Sequence, residues 1–154
     1  MPTAWFRARC PDDWFTGLDV DADRDEILVT GDLGCPDGID PVEHASIFRD
    51  RTRDERVRLA EQAEARWGRK VSWAVRCGGV EVAFTSLSVP VMTRLRFGER
   101  QLLDTLVAAG VARSRSEALA WCVRLVAAHE DDWICRLRLA IDEVDRIRSE
   151  GPTR

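Results

Sequence analysis

The stretch that most narrows the choice of fold is residues 91–126, VMTRLRFGERQLLDTLVAAGVARSRSEALAWCVRLV. Its opening run alternates with the period of a β-strand: Thr93, Leu95 and Phe97 fall on one face, Met92, Arg94 and Arg96 on the other. So short a strand needs a partner. None follows, because the chain turns at Gly98-Glu99 directly into a helix. That helix, at about 99–109, is expected to bury Leu102, Leu103, Leu106 and Val107 and to end at Gly110, a natural left-handed cap. A second helix opens near Ser114, where SRSE sets a hydroxyl at the N-cap and Glu117 three residues later, the pattern of a capping box. Its apolar stripe (Ala118, Leu119, Trp121, Cys122, Leu125 and Val126) is too broad and bulky for one short helix to cover. The unit is therefore expected to dimerise.

The rest of the chain reads as a separate α/β module and a tail. Residues 1–25 are rich in Asp and turn formers and leave room for at most one short strand. EILVTGDL (26–33) predicts a strand with Ile27 and Val29 on one face and Leu28 on the other, and GCPDGIDP (34–41) a loop. A short helical turn at 41–49 precedes a longer helix. Thr52 and Glu55 suggest a capping box for it, with Val57, Leu59, Ala60, Ala63 and Trp67 at helical spacing and Gly68 as the stop. Val71, Trp73 and Val75, then Val80, Val82 and Phe84, alternate around Gly78-Gly79 and predict a β-hairpin. Residues 1–89 thus form a small β-α-β-β module with an acidic leader, joined at SVP (88–90) to the unit at 90–129. In the tail, 130–154, Trp133, Ile134, Leu137, Ile141, Val144 and Ile147 mark an amphipathic helix that would pack on the dimer or on the N-terminal module. The fold class is α+β.

Charge is distributed unevenly. The net charge is −4 over 154 residues, but residues 1–48 hold 3 Arg against 11 Asp and Glu, whereas 49–76 hold 9 Lys and Arg against 5 acids and 90–128 hold 6 Arg against 3 acids. Any nucleic-acid contact must be local, carried by basic patches. Of the 23 basic residues only Lys70 is a lysine, which supplies many forked donors suited to phosphates and base edges. The 5 cysteines are widely spaced, lack a C-x-x-C pair and have only 2 histidines to join them, so reduced thiols and no metal site are expected. No cofactor is expected. No apolar stretch approaches the ~18 residues of a membrane span, and a cytoplasmic, nucleoid-associated protein is expected.

Strand, helix, Gly-containing turn and a helix opened by Ser-x-Ser resemble the ribbon-helix-helix DNA-binding domains of the Arc, MetJ and CopG repressors. GVARSRSEAL (110–119) is the most diagnostic stretch. In that family two chains pair their strands into an antiparallel ribbon that enters the major groove over an intertwined helical core. The resemblance implies that Met92, Arg94 and Arg96 face outward and read bases. Arginine chemistry agrees, through bidentate pairing with guanine O6 and N7, and Met92 can touch a thymine methyl. It also implies that the free amides around Ser114, Arg115 and Ser116 hold a phosphate at the start of the second helix, with Arg113 and Arg115 adding phosphate contacts. The function implied is a homodimeric, sequence-specific transcriptional regulator whose partners are double-stranded DNA and a second copy of itself. A protein partner could bind through 1–89 or 130–154. The alternative is an interaction protein of antitoxin type that uses the dimer as an assembly scaffold.

Other constellations are weaker. DVDADRDE (19–26) places carboxylates as a calcium loop does, but Arg24 stands where the sharp-turn Gly belongs and Thr30 where the bidentate Glu belongs, so a solvated acidic loop is expected. Arg49, Arg53 and Arg56 in FRDRTRDERVR could form a second phosphate-contacting patch, or a helix face laced with ion pairs. No G-x-S-x-G, phosphate loop or catalytic cysteine motif is present, and an enzyme is not expected. Cys35, in a loop, is a candidate reactive thiol.

Overall fold

A computed structural model describes residues 1–36 and 38–151, which divide into two units, Met1–Val91 and Met92–Arg154. The protein is mixed α+β, with one four-stranded sheet and six helices among the described residues. No helix there is long and apolar enough to cross a membrane.

The first unit runs α1 (Pro2–Arg7), β1 (Gly17–Ala22), β2 (Glu26–Asp32), α2 (Pro41–Arg51), α3 (Arg53–Trp67), β3 (Lys70–Cys77) and β4 (Val80–Ala83). The sheet order is β1-β2-β3-β4. β1 and β2 form an antiparallel hairpin, α2 and α3 cross over so that β3 lies parallel to β2, and β4 returns antiparallel. The expected β-α-β-β core is present. It is extended by β1, by a split of the crossover into two helices and by α1, which sequence patterning missed.

Alternation in this register puts Val20, Val29 and Trp73 in one row and Leu18, Gly31, Val75 and Val82 in the next, all on the same face. Phe6 of α1, Phe48 of α2 and Leu59 and Ala63 of α3 join Ile27, Val29, Val71, Trp73 and Val75 in a single buried cluster. α1 is too short to persist by helix propensity. It is held by Phe6, which is fully buried and meets Trp73 edge-on at 5.8 Å. Trp14 packs edge-on against both Phe48 (5.7 Å) and Trp73 (6.3 Å), so the Asp-rich leader contributes core aromatics.

The opposite face of the sheet is mostly polar or small, with Leu28 set between Asp21 and Ser72. Thr30, Ser72 and Ala74 are buried there, and Arg76 links β3 to Asp19 of β1 and to Asp32 of β2. The acidic run 19–26 is thereby explained. Asp19 and Asp21 lie on β1, and Asp23 Oδ1 accepts from the amides of Asp25 (2.8 Å) and Glu26 (2.7 Å), closing the hairpin turn. Those two amides hold the Asp23 carboxyl below its ordinary pKa. The β3–β4 turn uses Gly78 and Gly79 at φ 56° and 79°, the positive values a two-residue hairpin turn demands.

Thr52 does not form the capping box its spacing with Glu55 suggests. Its hydroxyl donates to the Phe48 carbonyl (2.7 Å) at the end of α2 and accepts from Arg56 Nε (3.0 Å). Arg56 also donates to the Arg49 carbonyl (2.7 Å), and its guanidinium lies 4.7 Å from the Phe84 ring centroid. This buried arginine is a joint between α2, α3 and Phe84 just past β4, and burial lowers its pKa. Val57, expected on the core stripe, is instead exposed.

The second unit holds α4 (Phe97–Ala108), α5 (Arg115–His129) and α6 (Asp131–Glu150). Residues 91–96 carry no strand pairing among the described residues; of the face expected beside Leu95, Thr93 is exposed and Phe97 is instead the first residue of α4, also exposed. The tail helix forms as expected, but its stripe is uncovered: Trp133, Leu137, Ile141, Val144 and Ile147 are all exposed.

Thr52→Val keeps the shape of the side chain but strips Phe48 and Arg56 of their partner. Leaving a buried donor unsatisfied is expected to cost about 1–3 kcal/mol. A matching fall in the urea midpoint of unfolding, with unchanged slope, is the check.

Candidate nucleic-acid interface

The region expected to read DNA is built on a very small core. Leu103 of α4, Ala112 of the connection and Ala118 of α5 are its only buried side chains among the described residues, with Leu95, Leu106, Val107, Leu119 and Cys122 packed partly against them. The connection between the helices is tight. Gly110, at φ 75°, lets its own amide reach the Val107 carbonyl (3.0 Å) and the Val111 amide reach the Leu106 carbonyl (3.0 Å), a Schellman closure.

α5 then starts at Ser114, whose hydroxyl accepts from the Glu117 amide (3.2 Å). The return half of the expected capping box is displaced by one residue, because Glu117 Oε2 accepts from the Arg113 amide (2.8 Å) rather than from that of Ser114.

Leu95 sets the orientation of the segment before α4. Its side chain turns into the helical core, its carbonyl accepts from Arg100 Nη1 (2.7 Å), and the next amide, that of Arg96, donates to Glu99 Oε2 (2.6 Å). Its neighbours are left outside. Met92, Arg94 and Arg96 are exposed, and neither arginine makes an ion pair among the described residues. Met92 is 96% exposed, far above the level of an ordinary packed methionine.

The residues expected to contact phosphate are divided. The guanidinium of Arg115 is held by both oxygens of Asp104 at 2.6 and 2.7 Å, fastening the start of α5 to α4. That of Arg113 is held by Glu117 at 3.1 and 3.3 Å. These hydrogen bonds hold Asp104 and Glu117 below the ordinary carboxylate range and raise both arginines. What stays open at the helix start is the backbone: the Arg115 and Ser116 amides make no hydrogen bond among the described residues, and Ser116 is exposed. The other basic run offers less, since Arg56 points into the core of the first unit.

Much of the apolar surface on these helices has no cover. Leu102 (55% exposed), Val123 (64%) and Val126 (50%) stand in solvent, and an apolar cleft of about 350 Å³ opens among Cys122, Val123, Val126, Ala127 and Ile134.

Residues 2–83 match the family model of the Rv1265-like protein, N-terminal domain, and residues 96–148 match that of the Mb1296 C-terminal domain. The chain belongs to the Rv1265-like family. Three relatives, the uncharacterised proteins Mb1296 of Mycobacterium bovis and MT1303 and Rv1265 of Mycobacterium tuberculosis, are each 51% identical over 158 aligned positions, which cover 96% of this chain and 69% of the relative. Neither family description names a ribbon-helix-helix domain. The Rv1265-like N-terminal match spans α1 to β4, and the C-terminal match begins at Arg96, so Met92 and Arg94 fall between the two. No solved structure gives a significant match.

The Asp104–Arg115 pair gives a pH signature. Because the folded-state carboxyl lies below its ordinary value of 3.8, the pair's contribution is present above that value and is lost as pH falls through the lower folded value. Melting of the parent and of Asp104→Asn, followed by circular dichroism, is expected to differ at neutral pH. The two curves should converge once the pH is taken below the carboxylate range.

Proposed function

We propose that this chain is a homodimeric, sequence-specific DNA-binding regulator of ribbon-helix-helix type. The observation that carries the reading is the contrast within residues 92–96, where Leu95 alone is partly buried and Thr93, expected on the same face, is exposed with the others. Leu95 is turned into the helical core while Met92, Arg94 and Arg96 stand exposed and the arginines unpaired. The backbone of this segment has no strand partner among the described residues, and two such segments placed antiparallel would pair their free N–H and C=O groups. The same pairing would bring two α4–α5 units together and cover Leu102, Leu125 and Val126. A unit of this size with so few buried side chains needs such help, because small domains bury too little surface to stand alone.

In this reading Arg94 and Arg96 enter the major groove and Met92 meets a thymine methyl. Phosphates are met by the open amides of Arg115 and Ser116 at the start of α5, with the helix dipole behind them. Arg113 and Arg115 are busy with Glu117 and Asp104, so they act mainly by fixing that helix start, and a phosphate would have to compete with a carboxylate for them. The N-terminal unit supplies an interaction or regulatory function.

A second reading, an assembly scaffold of antitoxin type, is favoured by one observation: the exposed stripe of α6. It differs in predicting a dimer that retards no DNA.

Gel shift of the full chain on fragments of its own genome, beside sedimentation analysis, separates the two. Arg94→Ala and Arg96→Ala are each expected to weaken specific binding by about 1–3 kcal/mol, roughly 5- to 150-fold, without dissociating the dimer. Affinity is expected to fall steeply with salt as phosphate contacts release counterions. Parent-like binding by both variants removes the ribbon as the reader. A monomeric parent chain removes both readings.

A further inference from the structure

Two thiols meet at one end of the sheet in the N-terminal unit. Cys35 lies in the loop after β2 and Cys77 is the last residue of β3, 42 positions apart in sequence, yet their sulfurs are 2.7 Å from each other. The two thiols are in direct contact, with Cys77 Sγ donating a hydrogen bond to Cys35 Sγ. The backbone is shaped to permit this. A Cβ on Gly78 would lie 2.8 Å from Pro41 Cγ and 3.3 Å from Cys35 Sγ, so a side chain there would push the loop away.

The two thiols are also unequal. Cys35 is exposed, and Cys77 is 2% exposed. Burial first, and then the contact with Cys35, push the Cys77 thiol up to about 11, so it keeps its proton at neutral pH and directs it at the Cys35 sulfur.

We propose that Cys35 and Cys77 form a reversible oxidation site, at which a hydroperoxide converts the pair into an intrachain disulfide that fastens the β2–α2 loop to the end of β3. The Cys35 sulfur, having lost its proton, attacks the outer oxygen of the hydroperoxide. The O–O bond breaks, and the departing oxygen leaves as water or an alcohol. Cys35 is then a sulfenic acid. The Cys77 sulfur displaces the hydroxyl from it, its proton leaves with that hydroxyl as a second water, and the S–S bond forms. The sulfurs together give up two electrons and the hydroperoxide takes them. A low-molecular-weight thiol reverses the change by exchange, returning two electrons. The exposed member meets the oxidant and the sealed member resolves it, before over-oxidation can proceed.

The test treats the full chain with a small excess of hydrogen peroxide, followed by denaturation, iodoacetamide labelling and a non-reducing peptide map. Of the 5 cysteines, Cys35 and Cys77 are expected to escape labelling and to appear as one linked peptide, lighter by two hydrogens than the sum of its parts. Dithiothreitol should restore both labels. The oxidised chain should also melt several degrees higher than the reduced one, since the crosslink closes a long loop. Cys35→Ser, a change at an exposed position, should keep the parent's circular dichroism and lose both the link and the gain in melting temperature. Accumulation of sulfinic or sulfonic acid on Cys35 while Cys77 still labels would overturn the proposal. So would linkage to Cys10, Cys122 or Cys135 in place of the pair, or a chain unchanged by peroxide. Should Cys35→Ser misfold, the peptide map of the parent chain decides.

Discussion

Leu95 fastens an extended segment to the junction of two helices, and the C-terminal unit depends on that contact. Leu95 is the one residue of 92–96 that packs partly against the helical core, while Thr93, Arg94 and Arg96 around it are exposed. The hydrogen bonds from Arg100 to the Leu95 carbonyl and from the Arg96 amide to Glu99 lock the arrangement to the first turn of α4. The backbone groups of residues 92–94 make no hydrogen bond among the described residues. In the proposed dimer, a second copy would meet these groups and cover the apolar face of α4 and α5.

The N-terminal unit meets its own requirements within one chain. Its central strand, β3, is paired on both sides, and its apolar side is closed by aromatics that come from α1, the leader, α2 and β3 itself. Arg56 shows how a charge can be part of such a core. It is enclosed, but the Thr52 hydroxyl and the Arg49 carbonyl accept from it and the Phe84 ring lies against it, so its desolvation is offset.

Arginines of this chain divide by what surrounds them, and formal charge does not reveal the division. Arg76 is engaged by Asp19 and Asp32, Arg113 by Glu117 and Arg115 by Asp104, while Arg94 and Arg96 have no such partners among the described residues. A phosphate or base edge is met most readily by a guanidinium that has no carboxylate to abandon. The cysteines divide in the same way. Composition presents five scattered thiols, and folding makes two of them neighbours.

By itself the sequence determined the elements whose cause is local. The hairpin at Gly78-Gly79, the stop at Gly110, the Ser114 cap and the strand at Ile27 and Val29 each follow from a dihedral preference or a short period, and all are present. Of the strand face expected at Thr93, Leu95 and Phe97, only Leu95 is partly buried, and Phe97 opens α4 instead. Tertiary structure decided whatever depends on residues distant in the chain. α1 exists because Phe6 finds Trp73, Thr52 serves Arg56 instead of capping its helix, and the Asp-rich leader yields Trp14 to the core. Arg115 is claimed by Asp104 and Cys35 is set against Cys77. Thr52 and Arg56 lie only four residues apart, but their bond is set by the packing of Arg56 against Phe84; the other pairings arise only when the register of the sheet or the packing of two helices brings separate segments within reach.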